Sequence, residues 1–505
     1  MEIAIRNLSI KDIDKIITVS GWVDEIRYQK KTIFFNLRDN ALISDTIQCV
    51  GDNILCKEFC KETFVKIKCK VNRVPDKFKT RNGIELQVLE ILYYLKSDSN
   101  FSSIVRMDSG AETKFDQRHL FLRDKTMRAY GQLTALCLSS LRKTFKNCGC
   151  TEIIPPLFGS VKCEGGSDVF QMDHLGTKVF MTQSSQMYLE ATLPIFGRTF
   201  CIQPSFRAEK SHTKRHLTCF THAECELNGF DTFEKFLDFL KNFINEFFKT
   251  ILKKDKFGVL EELGRKEFLE NFSKKEFMIL SHIEAIKLLN EKGITKTDGS
   301  KFDEYDDIPE SQERKLIDEL DKIVLLTKFP SITKAFYSLS DPKDITRALA
   351  CDVEFPGVGE IIGSSLREYD YDQLTKKLEL FTLRDTSEKI LDLLKIYNDK
   401  YSDLIKQIND CIKKMDAKDL KTSLIEAIEI INTLKPKDII IDDLKKEIME
   451  IPYDAYQWYF DLRKYGSALT GGFGLGVERM ITWLAGVDNV KTVTMFPRFD
   501  GRLKP

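Results

Sequence analysis

The chain lacks paired Cys-x-x-Cys motifs, membrane-length apolar runs and any net charge, and each absence removes a class of protein. Its thirteen cysteines are scattered over 505 residues. Cys148-x-Cys150 and Cys56-x₃-Cys60 have neither matched partners nor nearby histidines, so no zinc site is expected. The odd thiol count reads as reduced and intracellular. No apolar run approaches the ~20 residues of a membrane span. The opening residues MEIAIRNLSIKDIDK include acids and have no apolar core, which argues against a signal or transit peptide. A cytoplasmic protein with no membrane partner is the expectation. Lys+Arg and Asp+Glu both number 77, so a nucleic acid would be held by local patches, there being no global field to attract it. The glycine run at residues 471–476 is neither GxGxxG opening a helix nor GxxxxGK[ST], so Rossmann and P-loop readings fail.

What the chain does have is Thr199–Leu227, TFCIQPSFRAEKSHTKRHLTCFTHAECEL. Thr199, Cys201, Gln203, Ser205, Arg207 and Glu209 fall on one side of an extended strand, with Phe200, Ile202, Pro204, Phe206 and Ala208 on the other. Alternation resumes with Phe220, His222, Glu224 and Glu226 opposite Cys219, Thr221, Ala223 and Cys225. Two strands joined by about ten polar residues predict a long antiparallel hairpin. Its polar face looks into a cleft or into bulk water, and alternation alone leaves both open. Between the strands, Lys210, His212, Lys214, Arg215 and His216 supply donors suited to a polyphosphate.

The remainder divides into an expected barrel, a hinge and a larger domain. Residues 1–100 contain five strand-like runs, Ile16–Val23, Thr32–Leu37, Thr46–Val50, Phe64–Val71 and Ile84–Leu95, separated by turn signals. Five strands in so short a span fit an OB-fold barrel. Phe34 and Phe35 are adjacent, so one must face the core while the other could stack an unpaired base. Lys66, Lys68, Lys70, Arg73, Lys77, Lys79 and Arg81 form a basic cluster. Residues 101–126 read as a hinge. Within 127–505, Met127–Phe145 and Phe233–Leu252 are amphipathic helices, and FPSITKAFYSL has strand character. Residues from about 380 to 440 form a helical insertion, with a capping signal at Asp385–Glu388. Stripes follow at Ile390–Cys411 and Leu424–Ile431, which predict a helical hairpin.

FRAEKSHTKRHLTCF closely resembles the second signature motif of class II aminoacyl-tRNA synthetases, in the subgroup that charges aspartate, asparagine and lysine. CTEIIPPLF resembles the first motif and WYFDLRKYGSALTGGFGLGVERMITWLAGV the third, while GWVDEIRYQKKTIFFNLRD looks like the subgroup's anticodon-binding OB domain. The resemblance covers nearly the whole chain apart from the insertion. It implies an α/β multidomain fold: an N-terminal OB-fold β-barrel plus a class II catalytic domain, an antiparallel β-sheet flanked by helices. It also implies a homodimer through Met127–Phe158, with ATP consumed in adenylate formation and Mg²⁺ as the cofactor. On that pattern Arg207, Glu360 and Arg479 are the catalytic residues. ATP would be bound by Arg207, Glu209, Arg215, His216, Phe220, Glu360, Gly476 and Arg479. Asp352 would join Glu360 at the metal, Phe34 and Phe35 would read the anticodon, and Glu164, Gln186, Glu224, Gly363 and Arg367 would hold the amino acid.

Within the subgroup, aspartyl enzymes place a lysine where this chain has Leu189, and an aspartate where it has Glu224. An Arg367 donor and a Glu224 acceptor complement an amide, and Glu224 would repel a carboxylate. L-asparagine and tRNA(Asn) are therefore the expected substrates. An aspartyl enzyme, or a paralogue that binds RNA without charging it, stays open as an alternative. The subgroup's Gly-Gly-Ser appears here as Gly363-Ser364-Ser365, an extra side chain near the amino-acid pocket. The insertion carries no identifiable chemistry.

Overall fold

A computed structural model describes residues 2–39, 46–74, 83–106, 108–163, 169–209, 213–396, 402–415, 417–434 and 441–505. The first five strands, β1 (Ile16–Gln29), β2 (Thr32–Arg38), β3 (Thr46–Asp52), β4 (Phe64–Arg73) and β5 (Ile84–Leu95), close a barrel in the order β1-β2-β3-β5-β4. Period-two alternation drives this: Ile33, Phe35 and Leu37 of β2 point inward and are buried with Val19, Ile67 and Leu86. β1 runs past Val23 because Glu25–Gln29 pair with Thr32–Asn36 across a tight turn.

Two expectations for the barrel need correction. Phe35 is 2% exposed and packs edge-on against Phe59 at 5.5 Å, so it belongs to the core and cannot stack on RNA. Phe34 is the outward ring, half-buried between its strand partners Arg27 and Val50. The lysines of β4 are not a free basic field either. Lys66 pairs with Glu2 at 2.9 Å, Lys70 with Asp14 at 2.9 Å and Lys68 with Glu90 at 3.5 Å. Lys77, Lys79 and Arg81 lie outside the described residues.

After three short helices, α1 (Phe101–Ile104), α2 (Ala111–Asp116) and α3 (Arg118–Phe121), comes α4 (Lys125–Asn147), capped by Asp124 accepting the Thr126 N–H at 2.8 Å. Buried Arg118 donates to the carbonyls of Lys491, Thr492 and Met495, which fastens this linking segment to the C-terminal turn. An eight-stranded sheet then dominates. In chain order its strands are β6 (Thr151–Glu152), β10 (Arg198–Phe206), β11 (Cys219–Asn228), β12 (Met278–Ser281), β13 (Val324–Thr327), β16 (Ala350–Phe355), β17 (Gly359–Leu366) and β18 (Thr470–Gly476). They lie in the order β12-β13-β16-β17-β18-β11-β10-β6, antiparallel except at the β12–β13 and β10–β6 edges. Short strands β7 (Phe158–Gly159), β8 (Gln171–His174) and β9 (Thr177–Met181) form a separate ribbon, and β14 (Ser340–Asp341) pairs with β15 (Asp344–Ala348).

One face of the large sheet is covered by α4 and by α6 (Phe233–Lys254). The aromatic stripe of α6 packs there: Phe243 meets Phe145 at 4.9 Å and Phe473 at 4.9 Å, and Phe145 stacks on Phe200 at 4.4 Å. Each such fully buried ring contributes roughly 1.5–3 kcal/mol. The other face keeps its polar residues. Helix α5 (Gln186–Phe196) stands against β10 and β11, and α7 (Val259–Glu262), α8 (Lys266–Phe272), α9 (His282–Glu291) and α10 (Glu310–Leu320) fill residues 259–320.

FPSITKAFYSL is not a strand: after Pro330 it forms a 3₁₀ turn at Ser331–Thr333, and the strand just ahead of it, β13, lies inside the sheet between β12 and β16. The capping signal at Asp385 does not start a helix, because α11 runs unbroken over Tyr371–Ile396, its upstream Leu374 and Leu378 already buried. Nor is the insertion a simple hairpin. α12 (Ser402–Lys414), α13 (Ala417–Leu434) and α14 (Ile441–Met449) join the second half of α11 around their own core of Ile390, Leu394, Ile408, Leu424, Ile428 and Ile431. α15 (Tyr453–Lys464), α16 (Val477–Ala485) and α17 (Val490–Val493) complete the chain. Among the described residues no helix is long and apolar enough to cross a membrane.

Candidate active site

The polar face of the large sheet is the floor of a cavity of about 400 Å³. The hairpin register builds it: β10 and β11 pair Thr199 with Glu226, Cys201 with Glu224, Gln203 with His222 and Ser205 with Phe220, so the polar residues of both strands share one face. β10 ends at Phe206, and Arg207 and Glu209 stand beyond it, not on the strand as the alternation predicted. The Arg207 N–H donates to the Thr218 carbonyl at 3.1 Å, which closes the loop and sets the guanidinium over the Phe220 ring at 5.3 Å.

One end of the cavity is rich in cations. Arg479, in the first turn of α16, donates through Nη1 to Glu360 Oε2 at 2.9 Å, and Arg215 Nη2 meets the same oxygen at 3.2 Å. Lys334 Nζ donates to Asp352 Oδ2 at 2.6 Å. Burial alone would raise the Glu360 carboxyl, but Arg479, Arg215 and Lys334 outweigh it and hold it at about 2, so it is a carboxylate. Burial, with the charge of Arg479 and Arg215, pushes His216 down to about 4, which leaves a neutral imidazole at neutral pH. Behind Arg215, Glu354 is wholly buried; that burial, then the Glu313 and Glu360 carboxylates, push it well above the ordinary range.

The other end is built from fixed hydrogen bonds. Glu224 accepts the Ser185 N–H at 2.8 Å and the Ser184 hydroxyl, both from the turn that opens α5. Arg367 holds Glu226 in a two-point pair, Nη2 to Oε1 at 2.5 Å and Nε to Oε2 at 3.1 Å, and donates Nη1 to the Ser365 hydroxyl at 2.7 Å. Burial alone would lower the Arg367 guanidinium; Glu226 and Glu190 more than reverse this. Glu190 in turn accepts from Gln186 at 3.0 Å, from Tyr459 at 2.7 Å and from Arg463 at 2.7 Å. The extra side chain of Ser364 turns onto the Cys351 carbonyl at 2.5 Å, a bond that fixes it to β16. On β18 a Cβ at Gly472 would lie 2.0 Å from Glu226 Oε1, and one at Gly474 would lie 2.2 Å from His222 Nε2. These two glycines make room for side chains of β11.

The structure brings nearly all the sequence-predicted residues together. Arg207, Glu209, Arg215, His216, Phe220, Glu360, Gly476, Arg479, Asp352, Gln186, Glu224, Gly363 and Arg367 all line this one cavity. Glu164 lies outside the described residues, as do Lys210 and His212. Leu189 is fully buried and is not among the lining residues, so it marks an absent cation only indirectly. Sequence reasoning missed Lys334, Glu190 and Arg463. Glu226 was visible in the same alternation as Glu224, but Lys334 sits in an irregular turn whose sequence has no period to read. The insertion, expected to carry no chemistry, contributes Arg384, Asp385 and Glu388 of α11 to the rim, where Asp385 pairs with Lys162 at 3.3 Å.

Known proteins resemble this architecture over its full length. A family model described as tRNA synthetases class II (D, K and N) matches residues 110–408 and 413–500, and one described as an OB-fold nucleic acid binding domain matches 17–92. The cytoplasmic asparagine–tRNA ligase of Debaryomyces hansenii is 34% identical over 497 residues, covering 97% of this chain and 77% of that protein. That of Saccharomyces cerevisiae is 32% identical over 509 residues, covering 98% and 78%. Among solved structures, the asparaginyl-tRNA synthetase of Pyrococcus horikoshii complexed with asparaginyl-adenylate superposes with a TM-score of 0.77 at 26% identity, covering all of both chains. With the family model spanning the cavity and the sheet beneath it, the chain belongs to the class II tRNA synthetases of the D, K and N group.

Proposed function

We propose that this protein joins L-asparagine to tRNA(Asn) in the cytoplasm in two steps, both at this cavity. As a class II synthetase it uses ATP. The asparagine carboxylate attacks the ATP α-phosphorus, pyrophosphate leaves, and the terminal ribose hydroxyl of the tRNA then displaces AMP from the acyl carbon. Arg207 offsets charge building on the α-phosphate, and Phe220 stacks the adenine whose amino group Glu209 accepts. Arg215, neutral His216 and Arg479 hold the outer phosphates. No side chain needs to act as a covalent nucleophile, because orientation and charge stabilisation suffice.

The donor set at Glu360 and Asp352 fits Mg²⁺. Each carboxylate gives one oxygen to a cation of the chain. The others, Glu360 Oε1 and Asp352 Oδ1, lie 2.9 and 3.8 Å from where a Cβ of Gly363 would stand, so the missing side chain leaves a hollow between two hard oxygens. Bound there, Mg²⁺ would neutralise phosphate charge during adenylate formation.

The observation that carries the choice of amino acid is that an acceptor, Glu224, and a donor, Arg367, both line the cavity. The relatives' names support the same reading. Pyrophosphate exchange with each amino acid tests it: asparagine should be activated far above aspartate. Arg207→Ala should lower that exchange by on the order of 10²-fold. Preferential activation of aspartate would establish the aspartyl alternative instead.

Two partner surfaces complete the reading. Phe34, flanked on the barrel wall by Asn36 and Gln48, is offered for anticodon stacking. Ile154, Leu175 and Ile195 are 92%, 92% and 73% exposed, and Phe158 and Met172 are exposed as well. Exposed apolar residues of this kind support an interface with a second copy of the chain, on the β6–β9 side because most of the apolar side of α4 is taken by the core.

A further inference from the structure

A buried ionic joint connects the barrel to the catalytic domain. β1 carries an irregularity at Asp24, between the paired residues Val23 and Glu25. The Asp24 carboxylate meets Arg128 of α4 at 3.1 Å and Arg38, at the end of β2, at 3.3 Å. Arg38 also grips Glu62 through Nη2, at 2.5 Å to Oε1 and 2.6 Å to Oε2. Arg123, just ahead of α4, reaches the same carboxylate at 3.4 Å. Arg38, Glu62 and Arg128 are all buried. Two independent details show that the junction is built and not incidental. Glu62 sits at φ +68°, in the left-handed region that a residue with a side chain rarely occupies. Nε and Nη1 of Arg128 are buried without a hydrogen-bond partner, so its bonds to Asp24 fall on Nη2 alone. A buried guanidinium stripped of its carboxylate is strongly unfavourable, and a rotated barrel would strand several at once.

We propose that Asp24, Glu62 and Arg128 are positioning residues for tRNA, holding the Phe34 wall of the barrel at a set orientation to the catalytic cavity. The inference rests on the barrel's proposed role in anticodon binding. A ligand held at two distant points gains most when the span between them is already set, because the second contact then follows the first without an ordering cost. The joint touches neither end of the tRNA directly, so its loss should leave adenylate formation alone.

Asp24→Asn and Arg128→Lys test this in the full chain, with asparagine-dependent pyrophosphate exchange as the check that the catalytic domain is folded. Two RNAs are charged: whole tRNA(Asn), and an acceptor-arm fragment without an anticodon. Both variants should keep exchange and fragment charging within about twofold of wild type, while KM for whole tRNA rises about tenfold, the equivalent of losing one charge-assisted contact. An unchanged KM for whole tRNA overturns the proposal. So does a parallel fall in exchange and fragment charging, which would make the joint merely structural. If wild type charges the fragment as well as whole tRNA, the barrel reading itself fails, and the joint has nothing to transmit.

Discussion

At the residue scale, the proposed function gives Glu224 the choice between near-isosteric substrates. Asparagine and aspartate have one shape, so selection must come from hydrogen-bond polarity and charge. Glu224 is pinned by the Ser185 N–H and the Ser184 hydroxyl. In Glu224→Gln the amide oxygen would stay with the Ser185 N–H, and the NH₂ would take the place of the oxygen beside Ser184, replacing an acceptor with a donor. Asparagine activation should then fall by roughly 10²–10⁴-fold in kcat/KM, since a buried donor would face the substrate amide. Aspartate should lose less, so the ratio narrows; exchange kinetics with both amino acids measure it, and an unchanged ratio would place discrimination elsewhere. Adding Leu189→Lys would not extend this logic, because Leu189 is fully buried and would carry an ammonium into the core. The alternating polar face made Glu224 legible from sequence. It could not reveal that Arg367 is committed to Glu226, because that bond joins residues far apart in the chain.

At the scale of elements, strands and long helices were legible because their burial follows a fixed period, whereas the segment joining them was not. His282 opens α9 at 1% exposure, against Phe329, with no hydrogen-bond partner on Nδ1. Burial, helped by Arg347 and Lys334 and opposed by Asp306, pushes it down to about 4. Above the ordinary histidine value near 6.5 both folded and unfolded forms are neutral, and stability is complete. Between 6.5 and about 4 the unfolded chain takes a proton that the folded one refuses, so stability falls as pH falls. The loss is on the order of 3 kcal/mol. Urea midpoints at pH 7.5 and 5.0 should therefore drop further in wild type than in His282→Gln; equal drops would clear His282 of the effect. Nothing in SHIEAIK marks that histidine as buried, since a helix start reads the same on a surface.

For the whole molecule, the apolar surface around Ile154, Leu175 and Ile195 predicts a dimer at micromolar concentration by light scattering, and Leu175→Glu should shift it toward monomer. A fully active wild-type monomer would refute that assembly. The order of the sheet also bears on how the protein comes into being. β18, near the end of the chain, lies between β11 and β17 and pairs with both. While the polypeptide is still emerging, those two strands can present open edges to solvent and to other nascent chains. The gap closes only when residues 470–476 arrive from the ribosome and slide between them. A synthetase of this design cannot close its central sheet until that strand has been made, and until then the two waiting edges are surfaces on which neighbouring chains can pair.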